Sequence, residues 1–122
     1  MARILIVDDE EQLCEMLERM LDPGGHEVTS VFTTEDALSR ISDQCFDLAV
    51  VDIFVPTHGG LEVIRELKSF APETRIIAAT GVNVQGGYDS LPLAIRHGAD
   101  RALKKPFRKE EFLGLVADLL GT

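Results

Sequence analysis

Leu48-Ala49-Val50-Val51-Asp52 is the stretch that decides the fold. Four apolar residues in a row, two of them β-branched, describe a strand buried on both faces rather than one with a wet side. Such a run ends at its first polar residue. Here that residue is a carboxylate, which gains nothing from packing. Working outward from it, the same figure recurs. Arg3-Ile4-Leu5-Ile6-Val7 runs into Asp8-Asp9-Glu10, Ile76-Ile77-Ala78-Ala79 into Thr80, and Ala102-Leu103 into Lys104-Lys105-Pro106. His26 to Val31 reads as a weaker strand.

Amphipathic stretches lie between these runs. Leu13, Met16, Leu17, Met20 and Leu21 recur at three- and four-residue spacing and predict a helix that Pro23-Gly24-Gly25 ends. Thr34 is the expected cap of a second helix reaching about Ile41, with Glu35 and Asp36 suited to its first turn. After a loop from Pro56 to Gly60, Leu61, Ile64 and Leu67 mark a third helix, stopped near Ala71-Pro72. A short helix is expected from about Leu93 to His97, and a last one from Glu110 to Leu120. Strands alternating with helices give one α/β domain over residues 1–122, a doubly wound parallel sheet covered on both faces.

Composition narrows the function. The 122 residues carry a formal net charge of −9, which argues against direct nucleic-acid binding, because phosphate contacts need clustered Lys and Arg. No apolar run reaches membrane-spanning length, and the N-terminus lacks the sections of a signal peptide. Cys14 and Cys45 are far apart, have no second pair to complete a metal site, and are expected to be buried free thiols. These features place the chain in the cytoplasm.

In a parallel open sheet the C-terminal ends of all strands share one edge, where such folds bind ligands. Asp8, Asp9, Asp52, Thr80 and Lys105, scattered over nearly the whole chain, therefore converge on one crevice. Three gathered carboxylates repel: two like charges ~4 Å apart at an effective dielectric near 20 cost about 4 kcal/mol. Lys105 supplies one offsetting charge, and an all-oxygen cluster suits a hard divalent ion such as Mg²⁺. A metal, a lysine, a hydroxyl and a lone strand-end carboxylate make a site for a phosphoryl group.

The blocks Ile4 to Glu10, Asp47 to Asp52 with Pro56 and Gly60 following, Ile76 to Thr80, and Gly98-Ala99-Asp100 leading to Lys105-Pro106-Phe107 resemble response-regulator receiver domains of two-component signalling. The resemblance covers the chain from end to end. It implies a flavodoxin-like five-stranded sheet of order 2-1-3-4-5 with five helices. It implies that Asp52 is the phosphoacceptor, served by a sensor histidine kinase or a histidine phosphotransfer protein. Asp9 would bind Mg²⁺ directly, Asp8 mainly through water, and the Phe54 backbone carbonyl would complete the protein ligands around Asp52. Lys105 would pair with Asp52 and then with the phosphoryl oxygens, and Thr80 would hydrogen-bond the phosphoryl group. The family has a cis peptide where Lys105-Pro106 stands. A fused or separate output domain and a phosphorylation-dependent dimer also belong to this picture.

The sequence departs from the family at the output side. Ala102 stands where an aromatic residue is common, Gly59 where an Asp is common, and Val55 where a Met is frequent. The Gly-containing segment from Gly81 to His97 is longer than usual and is expected to respond most to phosphorylation. His58 is read as an exposed loop residue outside the catalytic set. His26 and His97 are read as structural. An Asp-nucleophile phosphohydrolase or phosphotransferase is the alternative, but such enzymes favour a second Asp where Phe54 stands. A pseudo-receiver that binds without phosphorylation is opposed by the retained site residues. The chain is thus expected to catalyse only its own phosphorylation and dephosphorylation.

Overall fold

The computed structural model describes residues 2–55, 59–81 and 90–121. Five strands, β1 (Arg3–Val7), β2 (Glu27–Val31), β3 (Leu48–Asp52), β4 (Arg75–Gly81) and β5 (Arg101–Lys105), form one sheet of order β2-β1-β3-β4-β5. Every pairing is parallel. The helices are α1 (Glu11–Leu21), α2 (Thr34–Asp43), α3 (Gly59–Phe70), α4 (Leu91–His97) and α5 (Lys109–Leu120). This is the flavodoxin-like arrangement that the resemblance implied.

The period of two in each strand sorts the core into two layers. Leu5, Val7, Ala49, Val51, Ile76 and Ala78 face α2, α3 and α4, where Ala37, Ile41, Val63, Ile64, Leu67 and Ala94 meet them. Ile4, Ile6, Leu48, Val50, Ile77 and Leu103 face α1 and α5, packing with Cys14, Leu17, Leu21, Phe112 and Val116. Both faces being covered explains why β1, β3 and β4 read as unbroken apolar runs.

Three local expectations need correction. The cap of α2 is Thr33, not Thr34: its extended backbone (φ −136°, ψ 158°) lets Oγ1 accept the Asp36 N–H at 3.1 Å. Thr34 instead lies so close to Gly59 that a Cβ there would meet its hydroxyl at 1.6 Å. Helix α3 begins at Gly59, inside the stretch expected to be loop. Cys14 is buried as expected, whereas Cys45, in the connection from α2 to β3, is exposed; both are free thiols.

Smaller features complete the fold. His26 is structural, its Nδ1 accepting the Ala2 N–H at 3.2 Å. Phe107 packs against Phe112 of α5, ring centroids 5.8 Å apart. The Lys105–Pro106 bond is cis. Pro56, His58 and about half of the Gly81 to His97 segment (residues 82–89) lie outside the described residues, so the expectations placed on them are not addressed by the fold.

Candidate functional site

The register brings the polar strand ends together. Val7 lies beside Val51, so Asp8 follows β1 at the level where β3 reaches Asp52. Asp52 pairs with Ala79, Thr80 with Lys104, and Gly81 with Lys105. All four positions sit on the carboxyl edge of the three central strands and of β5. The convergence expected from spacing is thus present in the fold.

Lys105 is the hub. Its Nζ donates to Asp8 Oδ2 at 2.7 Å and to Asp52 Oδ2 at 3.2 Å, and Glu10 Oε1 lies 3.5 Å from it. The expected pair with Asp52 is present, and the lysine leans on Asp8 still more closely. The side chains of Asp8, Asp52 and Lys105 are 5%, 10% and 13% exposed, so their attraction is little screened, whereas Glu10 is 66% exposed.

Backbone donors hold the remaining carboxylate oxygens. The Glu10 N–H donates to Asp8 Oδ1 at 3.0 Å, and the Phe54 N–H donates to Asp52 Oδ1 at 3.0 Å. Asp52 is thereby fixed from both sides, by an amide two residues on and by an ammonium from the far end of the chain. Phe54 is seen at the site through this N–H.

Asp9, exposed, completes the acidic group. One carboxylate oxygen from each of Asp8, Asp9 and Asp52 lies within 4.8 Å of the others. An all-oxygen set of this kind, two buried and one open to solvent, fits a hard divalent cation that keeps several waters. Burial pushes the Asp8 carboxyl above its usual range. Hydrogen bonds from Lys105 and the Glu10 N–H, and the Lys105 charge, offset this only in part. Burial alone would pull Lys105 down, but its hydrogen bonds and attraction to Asp8 and Asp52 outweigh that and hold the ammonium above its ordinary value.

Thr80 is fully buried, and its Oγ1 has no hydrogen-bond partner among the described residues. A buried hydroxyl left this way costs about 1–3 kcal/mol, which a native chain tolerates where the group has a task.

Two contributors were not foreseen. Glu10 is read from the sequence only as the end of the Ile4 to Glu10 block, and the fold shows its carboxylate 3.5 Å from Lys105 Nζ. Gly60 sits where α3 crosses the end of β3. A Cβ there would meet the Asp52 carbonyl oxygen at 2.1 Å and Ile53 Cα at 2.5 Å, so α3 closes on the site only with glycine.

The chain matches the family model described as the response regulator receiver domain over residues 4–117. It is 37% identical over 118 residues to the two-component response regulator PhoP of Pseudomonas aeruginosa, covering 97% of this chain and 51% of that protein. It is 32% identical over 120 residues to the response regulator ArlR of Staphylococcus aureus, covering 98% and 53%. The chain spans about half the length of the curated relatives it matches. Among solved structures, the receiver domain of NtrX from Brucella abortus superposes with a TM-score of 0.87 at 29% identity, covering 98% of each chain.

Proposed function

Because the chain belongs to the family of response regulator receiver domains, we propose that Asp52 accepts a phosphoryl group from the phosphohistidine of a sensor histidine kinase or histidine phosphotransfer protein. The observation that carries this reading is the buried Asp52 carboxylate, held between the Phe54 N–H and the Lys105 ammonium. A buried strand-end carboxylate whose charge is offset by an ammonium supports the role of nucleophile toward phosphorus. Residues 1–122 act as one receiver domain.

In the transfer, an oxygen of Asp52 forms a bond to phosphorus while the donor's N–P bond breaks, its electron pair staying on the imidazole nitrogen. Such transfers depend on positioning and charge neutralisation more than on covalent help from the protein. Lys105 follows the charge from Asp52 to the phosphoryl oxygens. Thr80 offers them the hydroxyl that has no partner in the described fold. Asp9 would hold Mg²⁺ directly, Asp8 mainly through water, and Asp52 and the Phe54 carbonyl would complete its protein ligands. When bound, Mg²⁺ neutralises negative charge on the phosphoryl oxygens.

The chain catalyses its own phosphorylation and dephosphorylation and turns over no other substrate. Among the described residues no helix is long and apolar enough to cross a membrane, in keeping with a cytoplasmic switch. The output is an effector domain, fused or separate, or a dimer formed on phosphorylation.

Acetyl phosphate with Mg²⁺ tests the chemistry. It should add one phosphoryl group, removed by hydroxylamine as an acyl phosphate is. A hydroxylamine-stable label, as on a threonine or serine hydroxyl, would refute a carboxylate acceptor.

A further inference from the structure

Glu10 stands at the N-cap position of α1, where an acidic side chain could accept a hydrogen bond from the first turn and would favour the helix dipole. It makes no such cap bond. Its carboxylate lies instead 3.5 Å from Lys105 Nζ, which already donates to Asp8 and Asp52. Lys105 is thus shared among three carboxylates, two buried and one exposed.

The three do not compete equally. Asp8 is anchored by the Glu10 N–H and Asp52 by the Phe54 N–H. Glu10 is the longest contact and the most exposed, so solvent can take it over when Lys105 moves. A phosphoryl group arriving on Asp52 must draw the ammonium toward its own oxygens. Every other carboxylate that holds the ammonium competes with that movement.

We propose that Glu10 is a positioning residue that competes with the incoming phosphoryl group for Lys105 and so slows phosphorylation of Asp52. This rests on the reading of Asp52 as acceptor and adds a residue to it. Removing the charge weakens the competition. Because the contact is exposed, the effect is that of a surface ion pair, roughly a two- to five-fold change. The same exposure makes it sensitive to salt.

The test compares initial rates of labelling by acetyl phosphate, below saturation and with Mg²⁺, for wild type, Glu10→Gln and Glu11→Gln. Glu11, exposed and one residue further along, reports what loss of any nearby negative charge does to an anionic donor. Glu10→Gln is expected to label roughly two- to five-fold faster than wild type, with the gain shrinking as salt is raised, and Glu11→Gln is expected to change little. A Glu10→Gln rate equal to or below wild type would overturn the proposal, as would an equal gain in Glu11→Gln. In those cases wild type still labels at Asp52, so the acceptor reading survives. Absence of labelling in wild type would overturn both.

Discussion

Thr80 shows most plainly how a single residue sacrifices stability to the site. Its hydroxyl is buried without a partner among the described residues. Replacing it by an isosteric methyl, Thr80→Val, should stabilise the unphosphorylated protein by about 1 kcal/mol, measured by denaturant unfolding. The same change should weaken binding of beryllofluoride, which mimics the phosphoryl group. A loss of stability would show that the hydroxyl is already satisfied. Cys14 makes a second residue-level prediction. Burial, then the nearby Asp8 charge, pushes its thiol up from 9.0 to about 12. Between those values the unfolded chain loses the proton while the folded chain keeps it, so stability falls as pH rises through that window. Cys14→Ala should flatten that alkaline decline, and iodoacetamide should modify Cys45 while sparing Cys14. Alkylation of Cys14 in the folded protein as fast as Cys45 would contradict this. That Asp8, Asp52, Thr80 and Lys105 would gather at one edge was legible in the sequence because each lies at the end of an apolar run. The Lys105–Asp52 pair was expected from the family resemblance, but the closer bond to Asp8 and the contact with Glu10 were not. A long side chain chooses among acceptors by reach and burial, which spacing does not encode.

At the scale of elements, the approach of α3 to the end of β3 is what the site depends on. Gly60→Ala should cost about 2 kcal/mol or more, since its Cβ would press on rigid backbone at Asp52 and Ile53. It should also slow labelling of Asp52, whereas Gly114→Ala in α5, with open space around the added methyl, should be neutral or stabilising. A fully stable Gly60→Ala would mean that α3 can sit further from the strand. The element boundaries that the sequence misplaced have physical causes. Thr33 and Thr34 can each cap a helix, and the choice falls to Thr33 because Thr34 packs over Gly59. The two glycines read as loop, yet they open α3, because close packing against Thr34 and β3 outweighs their poor helix propensity. Continuous strands and periodic helices were legible because burial on both faces leaves no ambiguity about which residues point inward.

For the whole molecule, the converging carboxylates govern how it responds to cation. Mg²⁺ should raise the thermal midpoint by mass action, and Asp9→Ala should weaken that binding more than Asp8→Ala. The stabilisation should fade as pH falls into the carboxylate range, because burial keeps the Asp8 proton on to higher pH than usual and the metal must displace it. Equal Mg²⁺ affinity in wild type and Asp9→Ala would remove Asp9 from the ligand set. Sheet order and fold class were legible from the alternation of elements together with the family blocks. The exposure of Cys45 was not, since neither composition nor periodicity reports on a connecting segment. All of this turns on Asp52. The most direct measurement is the intact mass of wild type and Asp52→Asn after incubation with acetyl phosphate and Mg²⁺. One added phosphoryl group on wild type and none on Asp52→Asn is the predicted result. Undiminished labelling of Asp52→Asn would contradict it.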